Sequence, residues 1–571
     1  MTDHEVQKLI DDTAVAILDV PGVIALEPGV RTRAGRTSDS PVVVVTVERK
    51  IAPELLSKGE NLAELLEAEQ VDVVEATPLK ALFATPEKFG VDADTLAELE
   101  ARLGYPFLPE AIGVRPPRLR RAIWDADAYG SGITYRPPPG VALKPLEGKI
   151  KIRCHASPDA GWKELGRFLR GAKKELVVGM YELTAPHIGD CLSRDAAKRV
   201  KVFKLTMDKK LSIGGKGDLK EFDRTEAEHA RMFAKAFGSG FEYAYAKTEG
   251  RGKTFQTDYH TKLAVRDREA FWMSSGSWQS SNQPNLDPLG ADVGDTRLPK
   301  CNREWHVIGE HPGLSETWAK FLEWDLETAQ NSAVPDFVPS RKSELTVFVE
   351  KRDDDDEFPY EKFFETEEFE FVAGEGSEVI PLLTPDNYIE EMTALIEGAS
   401  QELLVQNQGL SFLKNEESQD RRFTTFMRVL AEKSQSLDRF RLIHRDPAEF
   451  GNSRKDKIEM FRRKGFDVKK IRFQVGCHNK GMIIDSERVL IGSHNLSHAG
   501  MTANRDASLI VQNPDIASYF KKIFEHDWNL AGKRGEISDA RPRRRMLLAY
   551  PGELAPPGMK AFNLWELLDV D

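Results

Sequence analysis

His260-x-Lys262-x4-Asp267 recurs later in the chain as His478-x-Lys480-x4-Asp485. The chemistry open to such a set is displacement at phosphorus. One neutral imidazole can attack a phosphodiester and form a phosphohistidine. The other, protonated, can give its proton to the leaving oxygen and then take one from incoming water or alcohol. Two ammonium groups can offset charge on the non-bridging oxygens. No step requires a metal, and no spacing in the chain reads as a ligand cluster, so neither metal nor cofactor is expected. A single His-x-Lys on a strand is an ordinary surface pair; the duplication is what points to catalysis.

The elements that must position these groups are legible around them. Leu263–Val265 and Met482–Ile484 are short apolar runs of strand type. On a strand, residues i and i+2 face the same side, so each run can present an imidazole and an ammonium together. Neither strand alone supplies both nucleophile and acid. A pseudo-twofold axis that sets His260 opposite His478 would supply both.

The repetition extends well beyond these motifs. Gly492-Ser493-His494-Asn495 begins fourteen positions after His478, and Ser274-Ser275-Gly276-Ser277 stands at the same offset from His260. Asn302-Arg303-Glu304 matches Asn504-Arg505-Asp506, and Ser157-Pro158-Asp159 matches Thr384-Pro385-Asp386. Each copy continues into a helical pattern and an apolar run, Glu175–Gly179 and Glu402–Gln406. The chain therefore holds two copies of one unit of about 170 residues. Ser275, Ser277, Ser493 and Asn495 are candidates to bind phosphate. Glu304 and Asp506 are candidates to hold an imidazole by its second nitrogen, as a carboxylate does in a triad. Asp267 and Asp485 belong to the catalytic motif, where they are expected to organise the site rather than touch substrate.

H-x-K-x4-D followed by G-S-x-N resembles the signature of the phospholipase D superfamily, over about residues 148–530. The resemblance implies an α/β fold: two phospholipase D-like α-β-α sandwich units with pseudo-twofold symmetry, preceded by a small α+β N-terminal domain. It also implies His260 as nucleophile and His478 as acid, an order the residues themselves leave open. One departure stands out. Ser277 occupies the place of Asn495 and offers fewer hydrogen bonds, so Gln279 or Asn282 is a candidate to compensate. Trp278 beside it could wall the pocket, stack on a ligand or pack in the core. Residues 285–300 are extra in the first copy and could overhang the site or form a plain surface insertion.

The expected division is a small α+β accessory domain at 1–110, a proline-rich linker at 111–148, the first catalytic unit at 149–330, an acidic connector at 331–375, the second unit at 376–530 and a tail at 531–571. The accessory domain rests on a helical pattern from Glu5 to Leu18 and on strands at Val23–Leu26, Pro41–Val47 and Val71–Glu75. No catalytic constellation falls in it, which leaves a protein partner or a structural role. The run Asp353–Glu357 reads as a solvated acidic loop, and the basic tail at Arg541–Arg545 as a solvated segment.

Hydrophobic residues make up 40% and charged residues 30% of the chain, which describes a protein with cores to bury. A net charge of −12 argues against a global nucleic-acid footprint but leaves room for a local basic groove. Four cysteines without metal-like spacing are expected to be reduced thiols. No apolar run reaches the roughly 18 residues of a spanning helix, so a cytoplasmic protein is expected, unlike membrane-embedded members of that superfamily.

The motifs specify chemistry better than substrate. One expectation is cleavage of a phospholipid head group. A second is a nuclease on DNA or RNA, suggested by Arg454–Lys457, Arg462–Lys464 and Lys469–Arg472 just ahead of His478, and by Lys209, Lys210, Lys216 and Lys220. A third is a non-catalytic binding protein on the same fold. The expected partners are thus a phospholipid head group or a nucleic-acid backbone.

Overall fold

The computed structural model describes residues 133–533 except 209–222, 249–252, 332–345, 351–360, 375, 413–419 and 451–452. Outside that span it describes chiefly the strand residues 23–33, 36–47, 71–75, 546–549 and 559–563. The lysine patch from Lys209 to Lys220, the acidic run Asp353–Glu357, the basic run Arg541–Arg545 and linker residues 111–132 lie outside the described residues.

The first unit is built from β4 (Gly148–Ser157), α1 (Gly161–Arg170), β5 (Glu175–Met180), β6 (Val202–Met207), α2 (Glu226–Phe237), β7 (Phe241–Tyr245), β8 (Lys262–Arg266), β9 (Ala270–Ser274), β10 (Glu304–Glu310) and α3 (Pro312–Asn331). The second comprises β13 (Val379–Leu383), α4 (Tyr388–Glu397), β14 (Glu402–Asn407), α5 (Arg421–Ser436), β15 (Arg439–Arg445), α6 (Arg454–Arg463), β16 (Ile471–Gln474), β17 (Lys480–Ile484), β18 (Arg488–Gly492), β19 (Ala507–Gln512) and α7 (Pro514–Lys533). Strand order is β4-β10-β9-β8-β5-β6-β7 in one sheet and β13-β19-β18-β17-β14-β15-β16 in the other. The two orders correspond strand for strand. In both, the last three strands run parallel and the rest antiparallel.

Alternation along the motif strands explains how the units join. Leu263 and Val265 of β8 and Ile483 of β17 enter one shared core with Trp305, Phe520 and Phe524. Ala264 faces the outer core of the first unit, and Met482 and Ile484 face that of the second. Each sheet is thus apolar on both faces, as expected of strands covered on both sides. Gly481 is required by this packing: a Cβ there would lie 2.3 Å from the Trp305 ring.

Two buried arginines bolt the units together. Arg303 of the first unit binds Asp159 of its own unit and reaches Asp527 on α7 at 3.0 Å. Arg505 of the second binds Asp386 of its own unit at 2.9 Å and Asp325 on α3 at 2.8 Å. These are the Asn-Arg-acid and Ser/Thr-Pro-Asp motifs of the repeat. All the side chains involved are nearly or fully buried.

Three features differ from the sequence expectation. Residues 133–148 dock as the end of the expected linker: Tyr135 donates to Asp386, and the Arg505 guanidinium lies 4.9 Å from its ring. The expected acidic connector contributes β12 (Glu367–Ala373), which adds to the edge of the first sheet beside β4. It also contributes β11 (Thr346–Glu350), which pairs with β20 (Met546–Ala549) and β21 (Met559–Asn563) of the expected tail. The N-terminal residues form a three-stranded sheet of β1 (Val23–Arg33), β2 (Arg36–Val47) and β3 (Val71–Glu75), packed by Val6, Ile10 and Ile17. No helix among the described residues is long and apolar enough to cross a membrane.

Removing one partner from a buried, bonded charge set leaves the others uncompensated. Arg505→Met is expected to lower unfolding free energy by about 3–5 kcal/mol, read by denaturant titration. A loss below about 1 kcal/mol would show that the arginine does not bolt the units.

Candidate active site

Both histidines stand just ahead of their strands, at the ends where the two units meet. The lysines open β8 and β17 and are buried. Each lysine ammonium donates 2.7 Å to the carbonyl of its own motif histidine, which ties Lys262 to His260 and Lys480 to His478.

The carboxylates cross between units. Asp506 of the second unit meets His260 Nδ1 at 2.7 Å, and Glu304 of the first meets His478 Nδ1 at 2.6 Å. A carboxylate on Nδ1 fixes the ring plane and holds a proton there, leaving Nε2 for chemistry. The crossing follows from backbone pairing between units. Arg303 N donates to Gly476 O at 2.8 Å, and Arg505 N donates to Asp258 O at 3.0 Å. Each Arg-acid dipeptide is thereby carried to the loop that ends in the other unit's histidine.

The serine assignments need correction. Ser275 Oγ donates 2.5 Å to Glu304, and Ser493 Oγ donates 2.6 Å to Asp506. Both hydroxyls are committed to the histidine-holding carboxylates, so they orient those groups instead of binding phosphate. Ser277 is buried, and Asn495 rests against Gly409 beyond β14. Asn282 joins the first pole: oriented to satisfy its neighbours, its amide donates to Glu304 at 3.2 Å and accepts from Ser277 N at 3.0 Å. Trp278 is fully buried beside Trp272 and packs in the core. The insertion at 285–300 is anchored through Leu286 and Leu298 to Cys301 and Phe363.

Asp267 and Asp485 lie at the far ends of the motif strands from the histidines, so they are not catalytic. Asp267 accepts from the backbone of Lys173, Lys174 and Glu175, and Asp485 from Ser400, Gln401 and Glu402. Both sit at positive φ, 55° and 53°. Each carboxylate replaces missing turn partners and pins its strand to the loop before β5 or β14, which sets the register of the lysine.

Burial and crowding of charge tune the site. Burial lowers the Lys262 ammonium well below its ordinary range, and Lys480 adds to the effect. Burial likewise pushes His478 well below 6.5, reinforced by Lys480, Arg445, Lys262 and His260. Glu304 is pushed up to about 7 by burial, against the pull of Lys480. Burial also raises Asp506. Such clustered perturbation marks a functional site.

Three neighbours were not legible from the motifs. Tyr181 stacks edge-on against His260 with ring centres 4.7 Å apart, and the Lys262 ammonium lies 4.8 Å from its ring centre. Gln408 Oε1 accepts from Lys480 at 2.6 Å. Arg445, at the end of β15, is close enough to act on both His478 and Glu304. Aligning Glu175–Gly179 with Glu402–Gln406 and reading two residues further places Tyr181 opposite Gln408.

Fold and site define a protein of duplicated α/β units closing a single two-histidine centre. Residues 394–528 match a family described as "Cardiolipin synthase, PLD-like domain". That match lies within the second unit and makes this segment phospholipase D-like. No curated protein matches it. Among solved structures it is similar to a phosphatidylserine synthase from Haemophilus influenzae, at 14% identity over 70% of this chain and 88% of that one, with a TM-score of 0.43. It is similar to Nuc, a phospholipase D family member from Salmonella typhimurium, at 17% identity over 27% of this chain and 95% of that one, with a TM-score of 0.22. It is also similar to a polyphosphate kinase from Porphyromonas gingivalis, at 14% identity over 69% and 53% of the two chains, with a TM-score of 0.37.

Burial depresses His478 most and repulsion from Lys480, Arg445 and Lys262 adds to it; an anion between the lysines would offset that repulsion. His478 is therefore expected to titrate below 6.5 in the empty protein and to shift upward when tungstate, a phosphate mimic, is bound. Histidine-selective isotope labelling and NMR would read both values. Titration at or above 6.5 without tungstate would contradict the electrostatics described.

Proposed function

We propose that this protein is a phosphodiesterase that works through a phosphohistidine, with a phospholipid as its substrate. The observation that carries the chemistry is the pair of crossed His–carboxylate contacts. They leave two imidazole Nε2 atoms for one phosphate, with Lys262 and Lys480 beside them. Nε2 of His260 attacks phosphorus and the P–O bond to the leaving arm breaks. The leaving oxygen takes the proton of His478. His478 then accepts a proton from water or an alcohol, whose oxygen attacks phosphorus and breaks the N–P bond. Lys262 and Lys480 offset charge on the non-bridging oxygens, and the Asn495 amide is a candidate donor to them. Glu304 and Asp506 hold the rings, as positioning residues. The lipid reading is supported by the family description matched over the second unit.

A specific observation favours a second reading, a nuclease. Arg445 stands beside His478, and Lys457 on α6 reaches the carbonyl of Leu410, next to the Gly409 that contacts Asn495. Cations there would suit the neighbouring phosphates of a nucleic-acid strand. For the third reading, a non-catalytic binding protein, both motifs would have to be idle.

Turnover of phosphatidylcholine vesicles, single- and double-stranded DNA and bis(4-nitrophenyl) phosphate, measured side by side in EDTA, tests these readings. His260→Ala and His478→Asn are each expected to lower turnover by at least about 10³-fold with the fold intact. Retention of more than a few per cent in either would contradict the two-histidine mechanism. Head-group release lost in His260→Ala supports the lipase, and DNA cleavage lost in it supports the nuclease. Asn495→Ala is expected to cost more than Ser277→Ala; equal losses would show that the two phosphate-binding halves are equivalent.

A further inference from the structure

The two poles of the site share one backbone plan, and beyond the exchanges Glu304/Asp506 and Ser277/Asn495 they differ in the side chain that follows β5 and β14. Met180 of β5 pairs with Lys262, and Asn407 of β14 pairs with Lys480. The next residue in each unit donates its backbone N–H to the residue before the lysine: Tyr181 to Thr261 O at 3.0 Å, Gln408 to Asn479 O at 2.8 Å. Tyr181 and Gln408 are therefore pseudo-equivalent, yet they treat their histidines differently. The Tyr181 ring meets His260 at an interplanar angle of 68° and stands next to the Lys262 ammonium. Gln408 binds Lys480, whose ammonium lies 3.1 Å from His478 Nδ1.

We propose that Tyr181 is a positioning residue that makes the two poles unequal: its ring clamps the His260 imidazole and steadies Lys262, so the phosphoryl group is carried on His260. This rests on the two-histidine reading above and deepens it. An aromatic ring set edge-on against an imidazole resists rotation of that ring. With Nδ1 already on Asp506, the remaining freedom of His260 is small, and Nε2 keeps its aim while the N–P bond exists. At the other pole Gln408 accepts from Lys480, whose ammonium lies beside the His478 ring, a polar surrounding that suits a group trading protons with a leaving oxygen and an incoming water. Pre-aimed geometry of this kind is worth orders of magnitude in rate.

The test is to make the poles alike. The native enzyme, quenched in alkali during turnover of bis(4-nitrophenyl) phosphate and digested, should carry its phosphoryl adduct on the His260 peptide by mass spectrometry. Tyr181→Gln installs the residue of the other pole. It is expected to lower kcat by about 10- to 100-fold with little change in KM and to reduce the His260 adduct. Tyr181→Phe, which keeps the ring, should recover most of that loss. Should Tyr181→Gln fail to fold, Gln408→Tyr gives the reciprocal reading, with the adduct shared between the two histidines. An adduct on His478 in the native enzyme would overturn the proposal, as would native kcat and labelling in Tyr181→Gln, or unchanged labelling in Gln408→Tyr. Absence of both turnover and adduct in the native protein would overturn the functional reading and this one together. Failure of this inference alone would leave His260-dependent turnover intact.

Discussion

Each catalytic-motif histidine is held by a carboxylate from the other unit. His260 depends on Asp506 and His478 on Glu304, at 2.7 and 2.6 Å. Neither unit could orient its own imidazole, because the acid that follows it in sequence is carried across the pseudo-twofold. The interface between the units must therefore be set to a fraction of an ångström, since a hydrogen bond weakens steeply as its geometry is lost. Much of the surrounding structure meets that demand. The shared apolar core brings the sheets face to face, and Arg303 and Arg505 lock the same loops that deliver the acids. Ser275 and Ser493 fix the carboxylates from behind.

Fixing charge this way has an electrostatic consequence. Two lysines, two histidines and Arg445 crowd a buried space, with Glu304, Asp506 and Glu182 as counter-charge and Glu449 paired to Arg445. Burial disfavours every charged form, so the empty site resists holding all its protons. A phosphate anion beside the two lysines would ease the conflict by adding negative charge. The site thus favours its substrate's charge before any contact with the substrate's arms.

The duplication was readable from the chain because its motifs recur at matching offsets, and the strand orders of the two sheets repeat as that implies. The Ser/Thr-Pro-Asp and Asn-Arg-acid motifs were readable as repeats but not as a bolt, since Asp325 and Asp527 come from helices that carry no signature. The crossing of Glu304 and Asp506 was not readable, because sequence order says nothing about which histidine an acid faces. Ser275 and Ser493 looked like phosphate ligands from their place in the motif, and only burial against a carboxylate reassigns them. Tyr181 carried no motif, and its meaning appears only when the repeat is aligned through the strand that precedes it. The strands β11, β20 and β21 pair across almost the whole second unit, a contact no local pattern announces.

The crossing is the claim on which the account stands, and it is open to one direct measurement. The imidazole titrations of His260 and His478 would be followed by NMR in Glu304→Gln and in Asp506→Asn. Glu304→Gln should move the titration of His478 far more than that of His260, and Asp506→Asn should do the reverse. If each variant instead perturbed the histidine of its own unit, or neither ring responded, the two units would not be completing each other's sites.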